Sequence, residues 1–161
     1  MIALNETDVP EVSILVVSYN TREMTLDCLR SIVHETRAQH QIIVVDNASI
    51  DGSADAIATE FPEIQLIASK KNLGFGQASN RAGEEARGAY VLLLNPDTVI
   101  LDSAIDRLLA FARRRPDAQM WGGRTVFADG SPNPTNCYQD VTLWRLFCRA
   151  VGLTALSRNH R

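Results

Sequence analysis

Apolar positions along this chain fall into short unbroken runs, separated by stretches in which they recur at helical spacing. The run Val12-Ser13-Ile14-Leu15-Val16-Val17 is β-branched and apolar almost throughout, as suits a parallel strand buried on both faces. Comparable runs follow at Gln41-Ile42-Ile43-Val44-Val45, at 64–68 and at Tyr90-Val91-Leu92-Leu93-Leu94. Between and after them the pattern predicts helices over about 24–36, with Leu26, Leu29 and Val33 on one face, and over 53–60, about 76–87 and 103–115. Asn20 with Glu23 resembles a capping box for the first helix, Phe61-Pro62 closes the second, Gly88 ends the third and Asp102 can cap the fourth. A last strand-like piece begins at Met120. Strand and helix alternate four times, which predicts an α/β fold: a mostly parallel sheet with helices on both faces and right-handed crossovers.

Open parallel sheets bind ligands in the crevice beyond the carboxyl ends of their strands. Three such ends carry polar groups here: Ser18-Tyr19-Asn20, Asp46-Asn47 and Asn95-Pro96-Asp97. Pro96 stops its strand, because proline has no ladder donor and pushes the preceding residue out of helical geometry. Asn95 and Asp97 can offer hard oxygens to a divalent cation, magnesium or manganese, and magnesium prefers to share its shell with substrate phosphates. A base ring can lie against Tyr19, and Asp46 can accept a hydrogen bond from a base or a ribose. Each residue also has a structural reading: a Tyr packed on a helix end, an Asp fixing its own turn, and a turn leading into a helix cap at Asp97. Convergence of all three at one sheet edge favours the functional one. Gly74-Phe75-Gly76-Gln77-Ala78-Ser79 lacks the third glycine of a dinucleotide fingerprint and follows the third strand rather than the first. No Gly-x4-Gly-Lys-Ser/Thr loop occurs either, which argues against a nucleoside triphosphatase.

Composition changes the picture little: 45% hydrophobic and 22% charged residues are ordinary for a globular chain, and 161 residues suffice for one substantial core. No apolar run approaches the roughly 20 residues of a membrane helix, and the polar leader over 1–11 lacks signal-peptide features, so cytoplasmic residence is expected. Cys28, Cys137 and Cys148 read as reduced thiols, and His34, His40 and His160 have no metal-ligand spacing. The net charge of −3 conceals an asymmetry. Residues 1–106 hold 7 Lys+Arg against 16 Asp+Glu, whereas 107–161 hold 9 against 3, so the last third favours anionic partners. Within it, residues 141–156 place Leu143, Trp144, Phe147, Val151 and Leu156 on one apolar side beside Arg145 and Arg149. Such a segment either packs on the sheet or makes a peripheral membrane contact at the inner face of the cell membrane. Nucleic acid is not among the expected partners.

Four motifs taken together resemble those of family-2 glycosyltransferases, in particular bacterial rhamnosyltransferase-like members that build cell-surface polysaccharide. They are Val16-Val17-Ser18-Tyr19-Asn20, Val44-Val45-Asp46-Asn47-Ala48-Ser49-Ile50-Asp51-Gly52-Ser53, Asn72-Leu73-Gly74-Phe75-Gly76-Gln77-Ala78-Ser79-Asn80 and Leu94-Asn95-Pro96-Asp97. They come in the family's order and spacing and span about residues 12–127. The resemblance implies a Rossmann-like GT-A fold and inverting transfer of a sugar from a dTDP- or UDP-linked donor to a polysaccharide or lipid-linked acceptor. By motif position it implies that Ser18, Tyr19, Asp46 and Asn80 hold the nucleotide. Asn95 and Asp97 stand in the place of the family's Asp-X-Asp metal motif, with Asn95 at its first aspartate. The family's general base falls well beyond this donor half. Asp129 and Asp140 match no such motif, so the catalytic base is expected to be missing, and 128–161 to be a loop and amphipathic segment that begins the acceptor region. The alternative is a non-catalytic nucleotide-sugar binding module.

Overall fold

The computed structural model describes residues 9–133. Its elements run β1 (Val12–Ser18), α1 (Arg22–Glu35), β2 (His40–Asp46), α2 (Ser53–Glu60), β3 (Gln65–Ala68), α3 (Phe75–Gly83), β4 (Tyr90–Leu94) and α4 (Ala104–Arg113). All four strands pair in parallel, in the order β3-β2-β1-β4. Ser18 stands opposite Asp46 across the β1–β2 ladder, and Leu94 opposite Val16 across β1–β4.

The alternation of the strands sorts their side chains into two cores. Ile14, Val16, Ile42 and Val44 pack with Leu29 and Ile32 of α1, Ile57 of α2 and Leu109 of α4. Leu15, Val17, Ile43 and Val45 turn the other way, onto Ala78 and Ala82 of α3. Helices thus cover both faces, and the α/β architecture is as expected. β4 departs from the expectation of burial on both faces: Tyr90, Leu92 and Leu94 pack on the first core, but Val91 and Leu93 are each 56% exposed. The reason is position, because β4 is an edge strand and α3 lies over β1 and β2.

Helix ends differ from the local signals for reasons of tertiary contact. Asn20 does not cap α1; its backbone is left-handed (φ 52°) and its side chain accepts the Ile50 amide at 2.9 Å. Asp51, from the β2–α2 loop, takes the Arg22 amide instead, at 3.0 Å. Nor does Asp102 cap α4: Asp102 and Ser103 are both left-handed, and the Ser103 amide goes to Glu35 at 2.9 Å. α3 stops at Gly83, four residues short of the expected end at Arg87, and Gly88 serves a close approach rather than a helix terminus. A Cβ at Gly88 would lie 2.5 Å from the Ser13 amide nitrogen.

Beneath that approach runs a row of polar side chains near the amino ends of the strands. Ser13 Oγ donates to Gln41 Oε1 at 2.9 Å and accepts the Gly88 amide at 2.9 Å. Gln41 Nε2 donates to Gln65 Oε1 at 3.0 Å, and Gln65 Nε2 to Glu85 Oε2 at 3.1 Å. Together they tie the α3–β4 connection to the sheet.

No strand begins at Met120. Residues 122–133 belong to a separate small unit whose described part holds an isolated antiparallel bridge between Val126 and Pro132. Asp129 there spends its carboxylate on the hydroxyl and amide of Ser131, which hold it below the usual carboxylate range. Asp140 and the amphipathic segment 141–156 lie outside the described residues.

Candidate functional site

The carboxyl ends of β2, β1 and β4 lie side by side, so Asp46, the Ser18-Tyr19 pair and the Asn95–Asp97 turn occupy one edge of the sheet. Asp46 is 3% exposed and divides its carboxylate: Oδ2 accepts the Ser49 amide at 3.1 Å, whereas Oδ1 is buried without a hydrogen-bond partner. One oxygen fixes the turn. The other is a buried acceptor left open, which costs free energy unless something satisfies it.

Ser18 is fully buried, and its hydroxyl lies 2.9 Å from Thr25 Oγ1 and 3.3 Å from Thr21 Oγ1. Its side chain is thereby committed to the first turn of α1, and its carbonyl accepts the Asn47 amide at 2.8 Å. Tyr19 next to it is half-exposed. The loops after β1 and β2 are stitched together: the Asn20 amide donates to Ser49 Oγ at 3.0 Å, and Ile50 returns a bond to Asn20. Asn20 and Ala48 both hold left-handed backbones at this rim (φ 52° and 66°), a conformation that alanine adopts only at a cost.

After β4, Thr98 donates to the Asn95 carbonyl at 3.2 Å and closes a turn with Pro96 and Asp97 at its centre. Proline's fixed φ suits the second position of such a turn and leaves Asp97 at the third. Asn95 and Asp97 are exposed. Directly beneath, Cys28 of α1 is wholly buried, with Sγ 3.7 Å from the Asn95 carbonyl oxygen. Burial, and after it the Asp97 charge, push the Cys28 thiol from 9.0 up to about 12, so it stays protonated as a donor. Asn80 is exposed on α3, which packs on the opposite face of the sheet from α1.

Sequence reasoning placed Asn47 at the strand end without reading its role. It is buried, accepts the Leu73 amide at 2.8 Å and donates to Asn72 Oδ1 at 2.9 Å, so it latches the loop before α3 to the end of β2. The role of Asp51 was missed too, although a cluster of Asx and Ser residues directly after a strand is the signal for such loop-to-loop bonds. The grooves that stand out among the described residues lie elsewhere, between α1 and α2 at Arg22, Leu26 and Asp55, and at the amino ends of the strands around His40 and Arg87. Neither includes Asp46 or Asp97.

A four-stranded parallel sheet with helices on both faces defines an α/β class, and structural likeness narrows the fold to GT-A. The mannosyltransferase PcManGT from Pyrobaculum calidifontis, in complex with GDP-Man and Mn2+, superposes with a TM-score of 0.58 at 23% identity, over 65% of this chain and 32% of that one. Residues 1–349 of S. aureus TarS in complex with UDP give 0.60 at 21% identity, over 66% and 33%. The chain belongs to glycosyltransferase family 2, since the model described as Glycosyl transferase family 2 matches residues 13–154. It is 31% identical over 133 residues to the N-acetylglucosaminyl-diphospho-decaprenol L-rhamnosyltransferase of Mycobacterium tuberculosis, a match that takes in 76% of this chain and 43% of the relative. It is also 28% identical over 102 residues to the succinoglycan biosynthesis protein ExoO of Rhizobium meliloti, over 63% and 29%. The chain spans half or less of the length of the curated relatives it matches.

Proposed function

We propose that residues 12–127 bind the nucleoside diphosphate part of a sugar donor, dTDP- or UDP-linked, for inverting transfer to a polysaccharide or lipid-linked acceptor. Residues 128–161 would begin the acceptor region. The observation that carries this reading is the open, buried Oδ1 of Asp46 at the carboxyl edge of the sheet. A base or ribose donor would satisfy it. Half-exposed Tyr19 would supply a ring face, Ser18 fixes the preceding backbone through Thr21 and Thr25, and Asn80 would serve from α3.

For a divalent cation, Asn95 and Asp97 fit a shell shared with substrate better than a protein cage. They bring one amide oxygen and one carboxylate on an exposed turn, and no group of three His, Cys, Asp or Glu gathers for a metal among the described residues. When bound there, magnesium or manganese would neutralise charge on the departing diphosphate as a Lewis acid. Among the described residues no helix is long and apolar enough to cross a membrane, and any membrane contact is assigned to 141–156.

Calorimetry with UDP and dTDP, in manganese and in EDTA, tests the reading. Binding is expected to need the cation and to weaken about tenfold or more in Asp97→Ala, as befits a lost charge-assisted contact. Equal affinity in EDTA, or an Asp97→Ala variant that binds like the parent, would overturn it.

A further inference from the structure

The turn that carries Asp97 is held by more than its own Thr98 to Asn95 hydrogen bond. One face of α1 grips the whole stretch between β4 and α4, through side chains at 28, 31 and 35, a helical i, i+3, i+7 row. Cys28 Sγ meets the Asn95 carbonyl at the start of the turn. Ser31 Oγ accepts the Ile100 amide at 2.9 Å just beyond it, while donating to the Cys28 carbonyl at 2.7 Å. Glu35 Oε2 then takes the Ser103 amide. In return, Asp106 of α4 accepts the Arg37 and Ala38 amides at 3.0 and 2.9 Å, which locks α1 and α4 together at the far end. Ile100 is 6% exposed, so its amide has little access to water once Ser31 is gone.

We infer that Ser31 is a positioning residue for the Asn95–Asp97 turn: its hydroxyl fixes the chain at Ile100, just past the Asn95 and Thr98 backbone that Cys28 reaches, and so helps to set where the Asp97 carboxylate stands. This rests on the reading of Asp97 as the cation-bearing residue. Ser31 is assigned no contact with the ligand itself. Its hydroxyl is doubly used, as a donor to its own helix and as an acceptor from the loop, so a hydroxyl is needed there and size alone does not replace it. Without it the chain beyond Thr98 would lose its first anchor to α1, and a carboxylate displaced by about 1 Å loses much of its directed interaction.

Threonine and valine have the same shape and differ by the hydroxyl. The test therefore compares the parent, Ser31→Thr, Ser31→Val and Ser31→Ala by calorimetry with UDP, each in manganese and in EDTA, alongside uridine binding and the thermal midpoint. The quantity read is the manganese enhancement, the ratio of UDP affinity with the cation to that without. It is expected to fall about fivefold or more in Ser31→Val and Ser31→Ala, the effect of one lost hydrogen bond, and to be retained in Ser31→Thr, with uridine affinity unchanged in all. Should Ser31→Val fail to fold, Ser31→Ala carries the comparison, because alanine is the better helix former. An enhancement that is full in Ser31→Ala but lost in Asp97→Ala overturns the role of Ser31 alone. So does a loss that uridine affinity shares in proportion, since that marks general loosening. No enhancement in the parent overturns the reading of Asp97, and this inference with it.

Discussion

Replacing Asp46 by asparagine separates the two uses of its carboxylate. Oδ2 accepts the Ser49 amide, and an asparagine oxygen can keep that bond; the open Oδ1 then becomes an amide nitrogen, a donor where an acceptor stood. For a ligand that donates to Oδ1, the exchange removes a hydrogen bond to a charged acceptor, worth about 1.5–3 kcal/mol, or about 10- to 150-fold in affinity. Folding should respond little. The unliganded protein buries an oxygen without a donor, and asparagine puts there an amide nitrogen without an acceptor, so the midpoint of Asp46→Asn is expected close to that of the parent. Asp46→Ala also orphans the Ser49 amide and should lose about 1 kcal/mol, roughly 4 °C. The assay is UDP and dTDP binding by calorimetry beside thermal unfolding of the three proteins. Parent-like affinity in Asp46→Asn would refute the ligand role of Oδ1; a lowered midpoint with unchanged affinity would leave Asp46 as a turn residue and nothing more.

Two further substitutions probe the frame. Gly88→Ala drives a Cβ into the β1 backbone, 2.5 Å from Ser13 N and 2.7 Å from Val12 C, and should cost about 2–3 kcal/mol in urea unfolding; a loss near zero would mean that the strand can shift. Asp51 is held below 3.8 by the Ser53 hydroxyl and then by the Arg22 and Ser53 amides. A depressed folded-state value contributes stability above 3.8 that is lost as pH falls through it, so the advantage of the parent over Asp51→Asn in urea midpoint should shrink on acidification, and a constant difference would contradict the linkage.

How far the fold could be read from sequence depended on the range of the interaction. Strands and helices came from unbroken apolar runs and from the spacing of Leu26 and Leu29, which are local patterns. Helix ends were harder, since Asn20 and Asp102 carry capping side chains but sit in left-handed backbones, and the bonds that start α1 and α4 come from Asp51 and Glu35, far along the chain. The exposure of Val91 and Leu93 depends on strand order, which no run of residues reveals. That Asp46, Tyr19 and Asp97 share one sheet edge was legible because polar groups stood where apolar runs ended. Ser18 showed the same signal, and alternation turns its side chain under α1; the bonds made by Asn47 and Ser31 could not be read because their partners are backbone amides 26 and 69 positions away.

The row through Ser13, Gln41 and Gln65 has a consequence for how the sheet finds its pairing. β1 is buried at every position and β2 over its last five, so hydrophobicity barely distinguishes the native alignment from one displaced along the strand. A slip by two residues would keep every side chain on its proper face and still set Ser13 beside Ile43 in one direction, or Gln41 beside Leu15 in the other, leaving a hydroxyl or an amide among aliphatic carbons. Three uncharged polar residues at the bottom of the sheet thereby act as a key for the parallel ladder. The relative heights of Ser18, Asp46 and Asn95 at the other end are inherited from it.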